Sequence, residues 1–500
     1  MVINMQTLGF NNDMYIKKQS EMIGKRISEF GGKLYLEFGG KLFDDFHASR
    51  VLPGFAPDIK LKMLLNMSDR VEVVIVISAT DIENKKIRGD IGISYDEDVL
   101  RLIDAFRNAG LYVGSIVIGM FTGQRSAVSF KERLENLGMK VYLHYPIEGY
   151  PLNVRHVVSQ EGLGKNEYIE TSRPLVVITA PGPGSGKMAT CLSQLYHENL
   201  RGVKAGYAKY ETFPIWNLPL SHPVNLAYEA ATADLNDVNM IDPYHLEAYG
   251  KATVNYNRDV ESFPVLRAIF EKIYGRCPYK SPTDMGVNMA GFCIVDDEAV
   301  KKASLDEIIR RYYQTLCDVI KGRASSAAVN KIELVMNQAG VQTDDRRVVS
   351  AALERSANTE GKPAAALELP DGRIITGKTS SLLGPSAAVL LNALKALSGI
   401  DKNTDVISHS VIEPIQKLKT EILGNHNPRL HSDEVLIALS ISAGFDENSA
   451  KAMEHLPDLR GCEAHSTVIL SQSDEGVFKK LGINLSCEPK YTTKKLYHKQ

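Results

Sequence analysis

The spacing of apolar residues along this chain switches repeatedly between two periods, and each switch marks an element. Residues 71–78 (VEVVIVIS) are an almost unbroken β-branched run, the pattern of a strand covered on both faces in a parallel sheet. Residues 97–109 (EDVLRLIDAFRNA) carry apolar side chains at helical spacing and stop at Gly110, a residue free to take the positive φ that ends a helix. Strand 111–119 (LYVGSIVIG), helix 127–137 (AVSFKERLENL, closed by Gly138) and strand 140–145 (KVYLHY) follow. Together with a short strand at 33–37 (KLYLE), this alternation predicts right-handed βαβ crossovers and an α/β fold with a mostly parallel sheet. A further strand at 174–180 (PLVVITA) leads through a glycine loop into a helix at 188–200 (MATCLSQLYHENL) and a strand at 203–208 (VKAGYA), which places the loop in the same sheet or one packed on it.

Near residue 220 the pattern changes. Tyr, Asn, Asp and Pro become frequent, and a helical period then runs through 298–322, with a helix start or hinge at 323–333. From about 350 the mixed pattern returns: strand 364–369 (AAALEL), turn Pro370-Asp371-Gly372, strand 373–376 (RIIT) and helix 386–398 (SAAVLLNALKALS). The expected organisation is an α/β domain over 1–224, a mostly helical middle region over 225–350, and a C-terminal α/β subdomain over 351–500. That agrees with roughly 150 residues per domain.

Composition narrows the classes of function. The 58 basic and 60 acidic residues nearly cancel, so no nucleic-acid or anionic-membrane partner is expected. Six cysteines stand at 191, 277, 293, 317, 462 and 487, with no Cys-x-x-Cys pair; they read as free thiols of a reducing compartment. No stretch reaches the ~18 apolar residues of a membrane helix, and the N-terminus lacks the apolar core of a signal peptide. The expectation is a cytoplasmic protein.

The strongest local chemistry is the loop Gly182-Pro183-Gly184-Ser185-Gly186-Lys187 between a buried strand and a helix. A phosphate needs donors on several sides. Successive backbone N–H groups, the positive end of the following helix and a terminal lysine supply them, and glycine allows close approach and positive φ. The spacing departs from G-x-x-x-x-G-K-[ST]: Pro181 stands where the first glycine belongs, and Met188 stands where a magnesium-binding hydroxyl belongs, with Thr190 two residues on and Ser185 as a substitute. The loop therefore points to phosphate or anion binding more than to nucleotide hydrolysis. The alternative is a Gly/Pro turn that only joins strand to helix. A partner strand ending in acid is suggested by GFCIVDD at 291–297, although the same residues also read as a short core strand followed by an Asp-capped helix.

Residues 372–379 (GRIITGKT) match the phosphate-loop pattern outright but lack its context, because the four intervening residues read as the strand itself. The wider segment, DGRIITGKTSSLLGPSAAVLLNALKAL, resembles the core of cytidine-deaminase-type proteins: an Asp-Gly turn, a strand ending in Thr-Gly, a loop, and a helix beginning Cys/His-Ala-Glu. Here Ser386 and Ala388 occupy the zinc-ligand and glutamate positions, so the resemblance implies the fold without the chemistry. It leaves a helix-start pocket near Lys378, Thr379 and Ser386.

Three loops concentrate polar residues. The first, 31–55, holds Lys33, Lys41, Asp44, Asp45, His47 and Arg50. The second, 207–237, holds Lys209, Glu211, Trp216, Asn217, His222 and Asp234, one βα unit after the glycine loop, where a parallel sheet gathers ligand contacts. The third, 254–291, holds Asn257, Arg258, Asp259, Lys280, Thr283, Asp284 and Asn288. Each is a candidate binding loop or a hydrogen-bonded surface loop. Late in the chain His426, His431, His455 and His465 accompany Cys462 and Glu463, but Cys462–His465 fits no common zinc spacing, and no metal site is assigned.

The segments LEFGGKLFDDFHASRVLPGF, TAPGPGSGKMATCLSQLYHE, YAKYETFPIWNLPLSHPVNLAYEAATADL, YKSPTDMGVNMAG and DGRIITGKTSSLLGPSAA, spread from end to end, resemble a bacterial family known as domain of unknown function 1846, or uncharacterised protein family 0371. The resemblance implies a cytoplasmic bacterial protein of several subdomains, including a helical insert. It carries no established activity and no catalytic residue.

The expected function is binding of a nucleotide, with magnesium as a candidate companion, or of another phosphorylated small molecule, with turnover of that ligand as an enzyme. The contacts would come from Gly182, Gly184, Ser185, Gly186, Lys187, Thr190, Lys209, Glu211, Asn217, Asp284 and Asn288. The alternative is a non-catalytic sensor or scaffold, favoured by the missing hydroxyl at 188. A homo-oligomer is left open.

Overall fold

The structure is a computed structural model that describes residues 8–43, 45–88, 91–235 and 237–492. The chain forms two compact units. The first joins Gly9–Asn225 to Asp237–Asp297; the second takes Leu8, 226–235 and the described residues from Glu298 onward. Residues 225–350, expected as one helical region, thus contribute to both.

The first unit is built on seven strands: β1 (Leu34–Phe38), β2 (Val71–Ser78), β3 (Tyr112–Gly119), β4 (Lys140–Leu143), β5 (Leu175–Thr179), β6 (Gly206–Tyr210) and, after a small antiparallel pair β7 (Asn239–Ile241) and β8 (Val254–Tyr256), β9 (Gly286–Val287). Their order is β4-β3-β2-β5-β1-β6-β9, and every pairing is parallel. The sequence period explains the middle of this sheet. All eight residues of β2 and all five of β5 are buried, as a strand covered on both faces requires. Burying a charge inside such a run demands partners. Glu72 of β2 accepts from the Ser172 N–H at 2.7 Å and the Ser172 hydroxyl at 3.0 Å.

Strand β5, which feeds the glycine loop, is central between β2 and β1, and the chain reaches it only after building out to β4 at one edge. The next strand, β6, lies on the other side of β1. This reversal makes the carboxyl ends of β5, β1 and β6 a switch-point crevice, where open α/β sheets receive ligands. One sheet face is covered by the helices Lys187–Leu200 and Asn257–Tyr274. Their Cys191, Leu192, Leu195, Phe263, Leu266 and Phe270 pack with Tyr35, Val176, Ile178 and Tyr207 of the strands. Each such fully buried large side chain contributes on the order of 2 kcal/mol from water exclusion.

The second unit holds a separate mixed sheet: β10 (Ala364–Glu368), β11 (Ile374–Lys378), β12 (Glu463–Ser466) and β13 (Asn484–Cys487), in the order β11-β10-β12-β13. The first two pairings are antiparallel and the last is parallel. The helix Pro385–Leu397 packs so closely on β11 that a Cβ on Gly377 would lie 2.2 Å from the Val389 nitrogen. Helices Asp297–Ile320, Ser326–Ala339 and Arg347–Ala357 precede this sheet.

The two secondary phosphate-site candidates of the sequence resolve as follows. Residues 291–297 are not an acid-terminated strand: Ala290–Cys293 is a 3-10 turn, followed by a single bridge between Ile294 and Phe10. Five apolar or small residues ending in Asp satisfy a strand pattern, but this stretch buries only part of its side chains and pairs only at that bridge. The Gly372–Thr379 match has β11 over the positions a phosphate loop would need as loop, as its sequence context predicts, so it offers no cradle.

Candidate functional site

The glycine loop takes the shape its residue types dictate. Gly184 and Gly186 adopt φ of +77° and +92°, which side-chain-bearing residues avoid. Gly182 needs its missing Cβ for another reason: a Cβ there would lie 2.1 Å from the Tyr95 hydroxyl oxygen. Gly186 is the N-cap of the 14-residue helix and offers no side chain to satisfy its first N–H groups. The Ser185 hydroxyl donates to the Gly182 carbonyl at 2.8 Å, and that of Thr190 to the Gly186 carbonyl at 3.1 Å. Both side chains are buried and shape the loop from within.

Lys187 is half-buried at this helix start, and among the described residues its ammonium makes no hydrogen bond or ion pair. Burial lowers its pKa, and Lys209 and Arg258 push the same way, against Glu37 and Cys191.

Strand register supplies the rest of the crevice. Ile178, Glu37, Lys209 and Gly286 stand side by side across β5, β1, β6 and β9, so their side chains share the face covered by the two helices. Glu37 is buried and accepts from the Tyr207 hydroxyl at 2.6 Å. Burial first, and then Glu37, hold the Tyr207 phenol well above its ordinary pKa. Lys209 pairs with Asp259, at the start of helix Asn257–Tyr274, and with Glu211 at 2.8 Å. It also donates to the Tyr256 hydroxyl, which itself donates to Glu211 at 2.9 Å. Burial alone would lower the Lys209 pKa, but Asp259 and Glu211 overcome it and raise it well above the usual value. Burial raises the Glu211 pKa against the pull of Lys209. Gly286 leaves room for the ring of Trp216, whose Cζ2 would lie 2.4 Å from a Cβ at that position.

The crevice therefore gathers two helix starts, a lysine without an ion pair among the described residues, and a buried lysine shared by the carboxyls of Asp259 and Glu211, the latter with its pKa raised by burial. Such a set can receive an anion at the helix starts and exchange a proton beside it.

Of the sequence candidates, the structure brings Gly182, Gly184, Ser185, Gly186, Lys187, Thr190, Lys209, Glu211, Arg258, Asp259 and Trp216 to this crevice. Asn217 is exposed. Asn288 is buried and clamps the 212–214 backbone through the Thr212 and Pro214 carbonyls. Asp284 accepts from the Tyr249 hydroxyl and the Lys280 N–H, both at 2.9 Å. Thr283 bonds Asp242, and the Asn257 side chain accepts from the Val238 N–H. Lys33 pairs with Glu198 at the amino end of β1, away from the crevice. Asp45 pairs with buried Lys60 at 2.6 Å and caps the helix Phe46–Val51. His47 lies edge-on to Phe213, and His222 bonds Asp297 at 3.0 Å. Lys41 is exposed, Arg50 is partly buried, and Asp44 lies outside the described residues. Asp234 belongs to the second unit.

In that unit Lys378 is exposed, the Thr379 hydroxyl donates to the Pro363 carbonyl, and Ser386 is buried with no side-chain partner among the described residues. Cys462, Glu463 and His465 each face a different partner: the Asp458 carbonyl, Arg346 and Ser486. Among the described residues no three His, Cys, Asp or Glu side chains gather as a metal site would require. None of the helices described is long and apolar enough to cross a membrane.

Sequence reasoning missed Glu37, Tyr207 and Tyr256. The signal for Glu37 was present, since an acid inside the apolar run LYLEF must be paired if that run is a buried strand. The tyrosines carry no such mark.

Comparison with known proteins gives the lineage. The N-terminal model of domain of unknown function DUF1846 matches residues 8–340, and its C-terminal model matches residues 344–497. A UPF0371 protein of Streptococcus thermophilus (strain ATCC BAA-491 / LMD-9) is 59% identical over 495 residues, covering 99% of this chain and 100% of the relative. A UPF0371 protein of Streptococcus pyogenes serotype M5 (strain Manfredo) is 58% identical over the same shares. With both family models matched along almost its whole length and such relatives aligned end to end, the chain belongs to the UPF0371 (DUF1846) family, whose function is uncharacterised.

Proposed function

We propose that the first unit binds a phosphorylated small molecule in the crevice at the carboxyl ends of β5, β1 and β6, with the phosphate at the start of helix Lys187–Leu200. The observation that carries this reading is Lys187: a half-buried ammonium that makes no ion pair among the described residues, beside a glycine loop in left-handed conformation. An uncompensated cation in a desolvated place is unfavourable unless an anion completes it. The amides of Gly184, Ser185 and Gly186 would donate to the phosphate, and Lys187 would neutralise it.

The hydrolase arrangement fits poorly. Met188 has no hydroxyl, and those of Ser185 and Thr190 are turned into their own backbone. The lysines would therefore meet the phosphate charge in place of a loop-held magnesium. Acid–base action on the ligand is the enzymatic reading, supported by the Glu211 carboxyl beside Lys209, whose pKa burial raises. A sensor that binds without turnover is the second reading, supported by the missing hydroxyl at 188.

For the second unit, a deaminase-like topology without the zinc chemistry is supported by the Asp371-Gly372 turn, β11 and the helix that follows, with Ser386 and Ala388 at its start.

Isothermal calorimetry with inorganic pyrophosphate and ribose 5-phosphate tests the binding reading. Saturable binding to the native protein, weakened at least tenfold in Lys187→Ala, is expected. Equal affinity in both proteins would place the ligand elsewhere.

A further inference from the structure

In helix Ser432–Ser442 of the second unit, the only polar residue between Val435 and Ile441 is Ser440. Val435, Ala438 and Leu439 enter the core of that unit. A helix that is apolar all round belongs in an interior, with neighbours on both faces. Yet Ile437 and Ile441, four residues apart and so on one face, are exposed. Phe445, also exposed, continues their row through the turn after the helix, where its N–H donates to the Ser442 carbonyl at 3.0 Å.

The neighbouring segment repeats the pattern. Helix His409–Lys417 packs against helix Ser432–Ser442 and buries Ile412 in the same core. It runs on into the π-turn Leu418–Ile422, where Leu418, Ile422 and the following Leu423 are exposed. Lys419 of this turn is buried and pairs with Glu434 at 2.6 Å. Leu423 comes about one turn after Lys419, and Ile437 and Ile441 come about one and two turns after Glu434. The ion pair therefore sets the two apolar rows side by side. Their six side chains are between 46% and 75% exposed. At roughly 150 Å² for each full side chain they present on the order of 500 Å² of apolar surface, toward the upper end of what one patch on a monomer shows. A stable interface covers about 800 Å² on each partner, and between identical subunits about 65% of it, roughly 500 Å², is apolar. The patch matches the apolar share of one side of a dimer.

We propose that this face is the contact between two copies of this chain, related by a two-fold axis, with helix Ser432–Ser442 crossing its own copy. A two-fold contact needs a surface that fits itself. A row of side chains at four-residue spacing does so, because the ridge of one copy lies in the groove beside the same ridge of the other. Charges of both signs flank the rows: Glu413 and Lys417, paired at 2.8 Å, precede Leu418, and Glu447 and Lys451 follow Phe445. Like charges are therefore not forced together when the surface meets its copy. The contact lies wholly on the second unit and stands whether or not the crevice of the first binds phosphate.

Sedimentation velocity on the full chain is the test. The native protein is expected to sediment as a dimer at about 10 µM and to dissociate on dilution. Ile441→Glu places a charge in the apolar contact and is expected to raise the dissociation constant of the dimer by about a hundredfold or more. Its far-ultraviolet circular dichroism is expected to match the native protein, because residue 441 faces water in the single chain. Should that variant lose helical signal, Phe445→Ser decides instead, since it lies beyond the helix; it is expected to weaken the dimer about tenfold. A native chain that stays monomeric at about 100 µM, or a dimer that survives both substitutions unchanged, would overturn the proposal. So would a monomer that binds phosphatidylcholine–phosphatidylglycerol vesicles and loses that binding in Ile441→Glu, which would make the face a membrane contact.

Discussion

At the scale of single residues, the molecule accepts unfavourable placements around the glycine loop. Lys187 is the clearest. Burial lowers its pKa, so the folded state holds its proton less firmly than the unfolded chain. Lys187→Met should therefore stabilise the unliganded protein by on the order of 1 kcal/mol, as removal of an uncompensated half-buried charge does. The sign follows from linkage: between the lowered folded pKa and about 10.5 the unfolded state binds more protons, so native stability gains with pH in that window and the variant loses the gain. Chemical denaturation of both proteins at neutral pH without ligand checks this, and a destabilised Lys187→Met would show that an internal partner holds the ammonium. Sequence revealed this residue through the glycine–lysine spacing. It did not reveal Glu37 or Tyr207, because a strand residue's partners are set by which strands become neighbours.

At the scale of elements, the period-based reading located the strands and helices of the first sheet within a few residues, since burial on both faces leaves little choice of pattern. It failed where elements are short. The 3-10 turn at Ala290–Cys293 imitates a strand, and the two-residue β9 has no periodicity to read. Helix starts in the second unit show how side chains fix element to element. Asp474 accepts from His431 Nδ1 at 2.9 Å, from the Ser432 N–H at 2.8 Å and hydroxyl at 2.7 Å, and from the Ser471 hydroxyl at 2.7 Å. It thereby ties the start of helix Ser432–Ser442 to that of helix Gln472–Leu481. Burial opposes ionisation of Asp474, yet these hydrogen bonds hold its carboxyl far below the usual range. The hydrogen bond to Asp474 raises the His431 pKa. A raised histidine stabilises fully below its unfolded pKa of about 6.5 and loses that contribution as pH climbs through the folded value. A depressed carboxylate stabilises above about 4 and loses its contribution as pH falls through the folded value. The pair is thus strongest between about pH 4 and 6.5. His431→Gln should remove about 1 kcal/mol at pH 5.5 and less at pH 8.5, measured by urea denaturation at the two pH values. An equal loss at both would show that the imidazole acts by packing alone.

At the scale of the whole molecule, the family's two models meet between residues 340 and 344, whereas the compact units divide at Asp297. The difference lies in two helices. Helix Asp297–Ile320 belongs physically to the second sheet: the Cys317 thiol donates to the Cys487 carbonyl at 3.3 Å, and Tyr313 lies edge-on to His465 at 4.8 Å. Just beyond the helix, Lys321 pairs with Glu475 at 3.0 Å. Cys317 also packs with Val468, Ile469 and Leu470. A fragment from residue 298 to the C-terminus should therefore unfold cooperatively on heating. One from residue 344 should show a broad transition and bind a hydrophobic dye, because its Val468–Leu470 face is uncovered. Equal, sharp transitions for the two would show that the helix is dispensable to this unit.

The sequence by itself determined that the chain is α/β, that its first sheet is largely parallel, that a glycine loop joins a buried strand to a helix, and that the whole belongs to one bacterial family. These are consequences of local pattern: side-chain period, glycine conformational freedom and similarity along the chain. Only the tertiary structure decided which strands lie beside β5 and which helices cover them. That choice brings Glu37, Lys209 and Asp259 to one crevice although more than two hundred residues separate the first from the third. It also assigns 237–297 to one unit and Glu298 onward to the other. Pairing partners and charge partners are set by burial across the assembled sheet, and no local pattern encodes them.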